Sequence, residues 1–145
     1  MNTEQRLNHW LSQRQTLLIR LCAINQSSAQ KFTFPSMKKR DELFEVLLDY
    51  ICAGHFEVFQ HILARLEHNS SLDKKVTQTT LGQIQSSTDL CVQLNDKYQH
   101  LKKPDKNQWR KDISQVAEAL AERFELEDFL IERSFKEPRI NSQSA

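Results

Sequence analysis

Apolar residues return at three- and four-residue steps along this chain, the period of amphipathic helices. Leu7, Trp10, Leu11, Leu18 and Leu21, with Arg14 in the same stripe, predict a first helix over residues 3–24. A polar stretch, 25–35, follows. Pro35 cannot continue a helix and Ser36 can cap the next. Leu43, Phe44, Leu47, Leu48 and Ile51 predict a second helix that stops at Gly54, expected in the left-handed conformation that glycine tolerates. A third helix, 55–68, places Phe56, Phe59, Ile62, Leu63 and Leu66 on one side and ends at Asn69-Ser70-Ser71. A fourth, 74–102, repeats Leu81, Ile84, Thr88, Cys91, Leu94, Tyr98 and Leu101. Pro104 interrupts the pattern, and a last long helix, 106–134, repeats Ile113, Val116, Leu120, Phe124, Glu127 and Ile131.

Short connections between long amphipathic helices favour antiparallel neighbours. The fold class is therefore all-α, an up-and-down antiparallel four-helix bundle with one helix broken at Gly54. Composition agrees: two glycines and three prolines leave little material for hairpin turns. With 145 residues, 39% of them hydrophobic, the chain is long enough for one core without metals or disulfides. Residues 1–135 are read as a single domain and the polar residues 136–145 as a disordered tail. Residues 1–25 hold no signal peptide, since the longest clean apolar run, Leu17-Leu18-Ile19, ends at Arg20. No stretch is long enough for a bilayer. Cys22, Cys52 and Cys91 are odd in number, far apart and on apolar helical positions, so they are expected as reduced core residues of a cytoplasmic protein.

Enzyme signatures fail. With glycines only at 54 and 82, no phosphate-cradling loop, dinucleotide fingerprint or nucleophile elbow can be built. Di-iron bundles need Glu-x-x-His pairs, yet Cys52, Val58, Arg65 and Lys97 precede His55, His61, His68 and His100 by three. Cys52 and His55 share a face at helical spacing, but nothing nearby supplies an oxyanion hole. No catalytic residue, cofactor or metal is expected.

Charge is segregated. Residues 41–69 hold six acids against Arg65, and 113–132 six acids against Arg123, a balance of −5 in each within a chain of net +1. Such an acidic surface can steer a basic partner, although charge runs on helices more often form solvated faces. Lys102, Lys103, Lys106, Arg110 and Lys111 surround Trp109, a composition that phosphate-contacting turns share with ordinary loops. Three charged residues stand at core phase: Arg14 in the first helix and Glu127 with Asp128 in the last. Because a lone buried charge is costly, Arg14 is expected to pair with Glu127 or Asp128 and fix helix register; a polar ligand cavity is the alternative.

Three ordered blocks resemble the Rsd/AlgQ family of bacterial anti-sigma proteins. They are Trp10-Leu11 with Arg14 and Leu17-Leu18; Asp49-Tyr50 with Ala53-Gly54-His55-Phe56, Ile62-Leu63 and Leu66-Glu67; and Glu118-Ala119-Leu120, Arg123-Phe124, Leu126-Glu127-Asp128 and Leu130-Ile131. The resemblance implies a stoichiometric binder of the primary sigma subunit of RNA polymerase. It would grip region 4, which docks on the polymerase and reads the −35 promoter element, and so block both contacts. On that basis Asp49 is expected to meet a sigma arginine and Phe56 to serve as an apolar anchor, with Cys52 on the same turn. Taken alone, Phe56 fits the third helix's core stripe equally well. Other bacterial regulators are further candidate partners; no direct DNA binding and no membrane association are expected.

Overall fold

Polar side chains cap the helices where the sequence places them ahead of apolar runs. In the computed structural model, which describes residues 2–30, 34–69 and 74–136, α1 spans Thr3–Gln30, α2 Met37–Ala53, α3 Phe59–Asn69, α4 Lys74–Tyr98 and α5 Lys106–Ile131. Ahead of α1, the Gln5 N–H donates to Asn2 Oδ1 (2.8 Å) while the Asn2 N–H donates to Gln5 Oε1 (2.9 Å), a reciprocal cap. Ser36 Oγ accepts from the Lys39 N–H at the start of α2. Asp105 accepts from the N–H groups of Asn107 and Gln108 at the start of α5. The helix ends differ modestly from expectation: α1 continues to Gln30 and α4 stops at Tyr98. After α5 a π-helical turn, Glu132–Lys136, takes in the first residue of the expected tail, and 137–145 lie outside the described residues.

The second helix is not terminated at Gly54. Gly54 is right-handed (φ −56°, ψ −52°), and the chain continues through a π-helical turn, Gly54–Val58, into α3. The Phe59 N–H donates to Gly54 O, five residues back. Glycine is needed for another reason: a Cβ there would lie 3.0 Å from Trp10 Cζ2 and 3.1 Å from Nε1. Four long helical segments therefore form the bundle. Contacts between residues 10 and 50, and between 20 and 42, make α1 and α2 antiparallel. Lys97 with Asp112 and Thr88 with Arg123 do the same for α4 and α5.

The core follows the helical stripes with two phase corrections. On α1 the buried set is Leu7, Trp10, Leu17, Leu21 and Ile24, while Leu18 is 39% exposed. Spacing alone cannot choose between adjacent leucines; the rotation of α1 is set by Trp10, which is wholly buried, stacks on Tyr50 and meets Phe59 edge-on. On the second segment Phe59, Ile62 and Leu66 are buried, but Phe56 is 65% exposed. The extra residue in the π turn shifts the stripe so that Gly54 and Val58 face inward instead. Cys22 and Cys52 are exposed rather than in the core, for these positions lie beside the buried stripes and not within them. Cys91 is buried, and burial pushes its thiol up to about 11.

The far end of the bundle is tied by polar contacts that periodicity does not reveal. Buried Arg40 donates to the carbonyls of Tyr98 (2.8 Å) and Leu101 (2.9 Å), satisfying the end of α4. Trp109 is 1% exposed and packs edge-on against Phe34 and Tyr98, so it has no face for a stacked base. Asp112 accepts from Lys97 Nζ (2.8 Å), Tyr98 Oη (2.6 Å) and Gln108 Nε2 (2.8 Å). Partial burial pushes its pKa up, but the hydrogen bonds from Lys97, Tyr98 and Gln108 and the Lys97 charge outweigh it and hold the carboxyl below the ordinary aspartate value. Its stabilisation is thus full above the unfolded value of about 3.9 and is lost as pH falls through the lower folded value. Asp112→Asn is expected to flatten the acid limb of an unfolding profile below about pH 4; an unchanged limb would show that Asp112 does not drive acid unfolding.

Candidate functional site

α2, the π turn and α3 form one wall of a groove, and α4 forms the other. The groove encloses about 460 Å³, with Leu48, Ile51, Phe59, Leu63, Leu81 and Val92 among its apolar lining. Cys52, His55 and Phe56 stand on its first wall. The imidazole of His55 meets the Phe56 ring edge-on at 4.8 Å between centroids. Asp49 is exposed, one turn before Cys52 and on the same side of α2. The structure thus brings Cys52 and Phe56 together on the groove, with Asp49 just beyond its rim. A solvent-exposed phenylalanine on the edge of an apolar channel gives a contiguous apolar surface, the form that protein-docking sites share.

The floor of the groove is polar and fully tied. Thr88 and Arg123 line it from α4 and α5. Arg123, 1% exposed, donates from Nη1 to Thr88 Oγ1 (2.7 Å) and Ser87 Oγ (3.2 Å), and from Nε to Glu127 Oε2 (3.0 Å). Glu127 is 0% exposed and accepts at Oε1 from Tyr50 Oη (2.5 Å) and Arg14 Nη2 (3.2 Å). Arg14 also donates to Tyr50 Oη (3.0 Å) and to Asp128 Oδ1 (2.7 Å), and its guanidinium lies 4.9 Å from the Phe124 ring centroid. One carboxylate therefore holds two guanidiniums and a phenol, joining α1, α2, α4 and α5. Burial pushes the Glu127 carboxyl up, with Arg123, the Tyr50 hydroxyl and Arg14 pulling the other way. Burial likewise raises the Tyr50 phenol, the Glu127 charge adding to it.

Arg14, Glu127 and Asp128 converge as a paired cluster, with Tyr50 and Arg123 completing the hydrogen bonds of the buried Glu127 carboxylate. Two members escaped sequence reasoning. Tyr50 reads as an ordinary core aromatic, and Arg123 reads as a surface charge balancing neighbouring acids. The signal for Arg123 was available: Leu120, Arg123, Glu127 and Leu130 follow helical steps on one stripe, with the opposite charges at i and i+4.

The two acidic segments also separate. In 113–132, Glu127 and Asp128 are consumed by Arg14 and Arg123. In 41–69, Glu42 lies 3.5 Å from Arg20, whereas Glu45, Asp49 and Glu57 are exposed and take part in none of the ion pairs formed among the described residues. Glu118, Glu122 and Glu125 of α5 are exposed as well, but they lie outside the groove lining, so the two segments differ in position rather than in how many of their acids are paired. No group of three or more His, Cys, Asp or Glu side chains among the described residues could hold a metal ion, and no described helix is long and apolar enough to cross a membrane.

Comparison with known proteins adds a family. A model described as "Regulator of RNA polymerase sigma(70) subunit, Rsd/AlgQ" matches residues 1–135. Among curated proteins, the chain is similar to a "Regulator of sigma D" from Yersinia enterocolitica, 26% identical over 130 residues that make up 87% of this chain and 78% of that one. A protein of the same description from Yersinia pseudotuberculosis is 27% identical over 130 residues, 87% of this chain and 77% of that one. A third, from Shigella boydii, is 28% identical over 136 residues, covering 86% of this chain and 80% of the relative.

Proposed function

This chain belongs to the Rsd/AlgQ family of regulators of the RNA polymerase sigma(70) subunit, and we propose that it acts as a stoichiometric anti-sigma factor whose groove between α2–α3 and α4 seats region 4 of the primary sigma subunit. The observation that carries this reading is Phe56, an aromatic 65% exposed on the edge of an apolar groove within the block most specific to the family. A binder of this kind works by occupancy. Region 4 normally docks on core polymerase and reads the −35 element, so a protein that covers it removes both contacts without chemistry. We place this in the cytoplasm, where RNA polymerase works.

The charges suit such a partner. A domain that contacts DNA phosphates is basic, and Glu45, Asp49 and Glu57 present negative charge next to the groove. Phe56 would supply desolvated apolar contact, and Asp49 would meet an arginine at the rim. Cys52, small and exposed between them, would allow close approach.

Calorimetric titration into isolated region 4 tests the proposal. One-to-one binding that weakens with salt is expected, and Asp49→Ala should lose about 1–3 kcal/mol of affinity and some of that salt dependence while keeping its helicity. No heat at either low or moderate salt would refute sigma region 4 as the partner; loss of helicity in the variant would make Asp49 structural.

A further inference from the structure

The π turn packs against Trp10 of α1, outside the groove. Trp10 Nε1 donates to Tyr50 O at 3.0 Å, and that same carbonyl accepts the Gly54 N–H. The indole stacks on the Tyr50 ring (4.9 Å, 8° between planes), meets Phe59 edge-on (5.6 Å, 85°) and lies against the bare Cα of Gly54. It is wholly buried, so it cannot swing away to admit a side chain at position 54. A π turn is an unfavourable local geometry that persists only where surroundings impose it. Here the imposed turn has one visible consequence: Phe56, which an uninterrupted α3 stripe would bury, projects to the edge of the groove.

We propose that Trp10 and Gly54 are positioning residues for partner binding, the indole seated on the glycine setting the register of the turn that carries Phe56 outward. This rests on the docking reading above, because only a partner at the groove would sense where Phe56 points. Trp10 does not line the groove; it acts through residues 50, 54 and 59. The Tyr50 hydroxyl bonded to Glu127 anchors the same stack to α5. Relaxation of the turn to a regular α-helix would rotate Phe56 toward the core stripe and take the anchor off the surface.

The test measures stability and affinity for sigma region 4 on the full chain. Trp10→Phe keeps an aromatic ring but removes the donor to Tyr50 O, and Gly54→Ala adds a methyl against an unchanged indole. Each is expected to bind about tenfold more weakly. Ile113→Val, a buried change on α5 away from the groove, serves as a control that lowers stability without changing binding. In a Phe56→Ala background the Trp10→Phe penalty should shrink below twofold, which a general loss of stability would not produce. Wild-type affinity for Trp10→Phe and Gly54→Ala, or an equal penalty with and without Phe56, would overturn the inference while leaving the docking reading intact. Unchanged affinity in Phe56→Ala alone would overturn both. Should Trp10→Phe not fold, Gly54→Ala carries the same comparison.

Discussion

Replacing Glu127 with alanine is expected to destabilise the bundle by about 3–5 kcal/mol, a fall in Tm of roughly 10 °C or more. The size follows from what is left behind. Glu127 is 0% exposed and is the shared acceptor of Arg123, Arg14 and the Tyr50 hydroxyl. Without it the wholly buried Arg123 keeps the uncharged hydroxyls of Ser87 and Thr88 and the Phe59 ring face, and an uncompensated guanidinium in a low-dielectric interior is among the most destabilising single defects. Arg14 suffers less because it retains Asp128, which is exposed. Asp128→Ala should therefore move stability by less than about 1 kcal/mol, as exposed ion pairs do. Thermal or denaturant unfolding of the two variants measures the contrast. Equal small effects would show that the buried carboxylate is not the hub of the network.

Phe56→Ala is expected to do the opposite, sparing the fold and weakening sigma binding by about 2 kcal/mol or more, roughly thirtyfold. The ring is 65% exposed, and its described ring contact is with His55, itself exposed. Removing it leaves no cavity in the core, so stability should stay within about 0.5 kcal/mol. On a partner it would fill a pocket and exclude water, where aromatic anchors carry a large share of binding energy. Calorimetry on the variant, beside its unfolding curve, separates the two roles. A large loss of stability with unchanged affinity would return Phe56 to the core.

How much of this was legible in the sequence depends on whether local spacing or tertiary contact decides each feature. Helix number, the antiparallel order and the cap at Ser36 follow from spacing and capping chemistry, which are local. The meeting of Arg14 with Glu127 and Asp128 was expected from charges standing at core phase. The conformation of Gly54 was not legible, because glycine commonly ends helices and nothing in the adjoining residues announces an indole arriving from 44 positions upstream. That contact also decides the exposure of Phe56, so the helical pattern alone left the ring equally suited to core and surface. Leu17 and Leu18 show the same limit on a smaller scale: both fit the stripe, and the packing of Trp10 selects Leu17. Arg40, Tyr50 and Arg123 went unassigned since each looks ordinary until its partner from another helix is known.

The central claim, that the groove is where sigma region 4 sits, is tested most directly by an amide chemical-shift footprint of unlabelled region 4 on the isotope-labelled chain. The expected perturbations cluster on residues 45–63 and 81–92, strongest near Asp49, Cys52 and Phe56, with the Lys97 to Lys111 end of the bundle unaffected. Saturable shifts confined to that basic end, or no shifts at all, would contradict it.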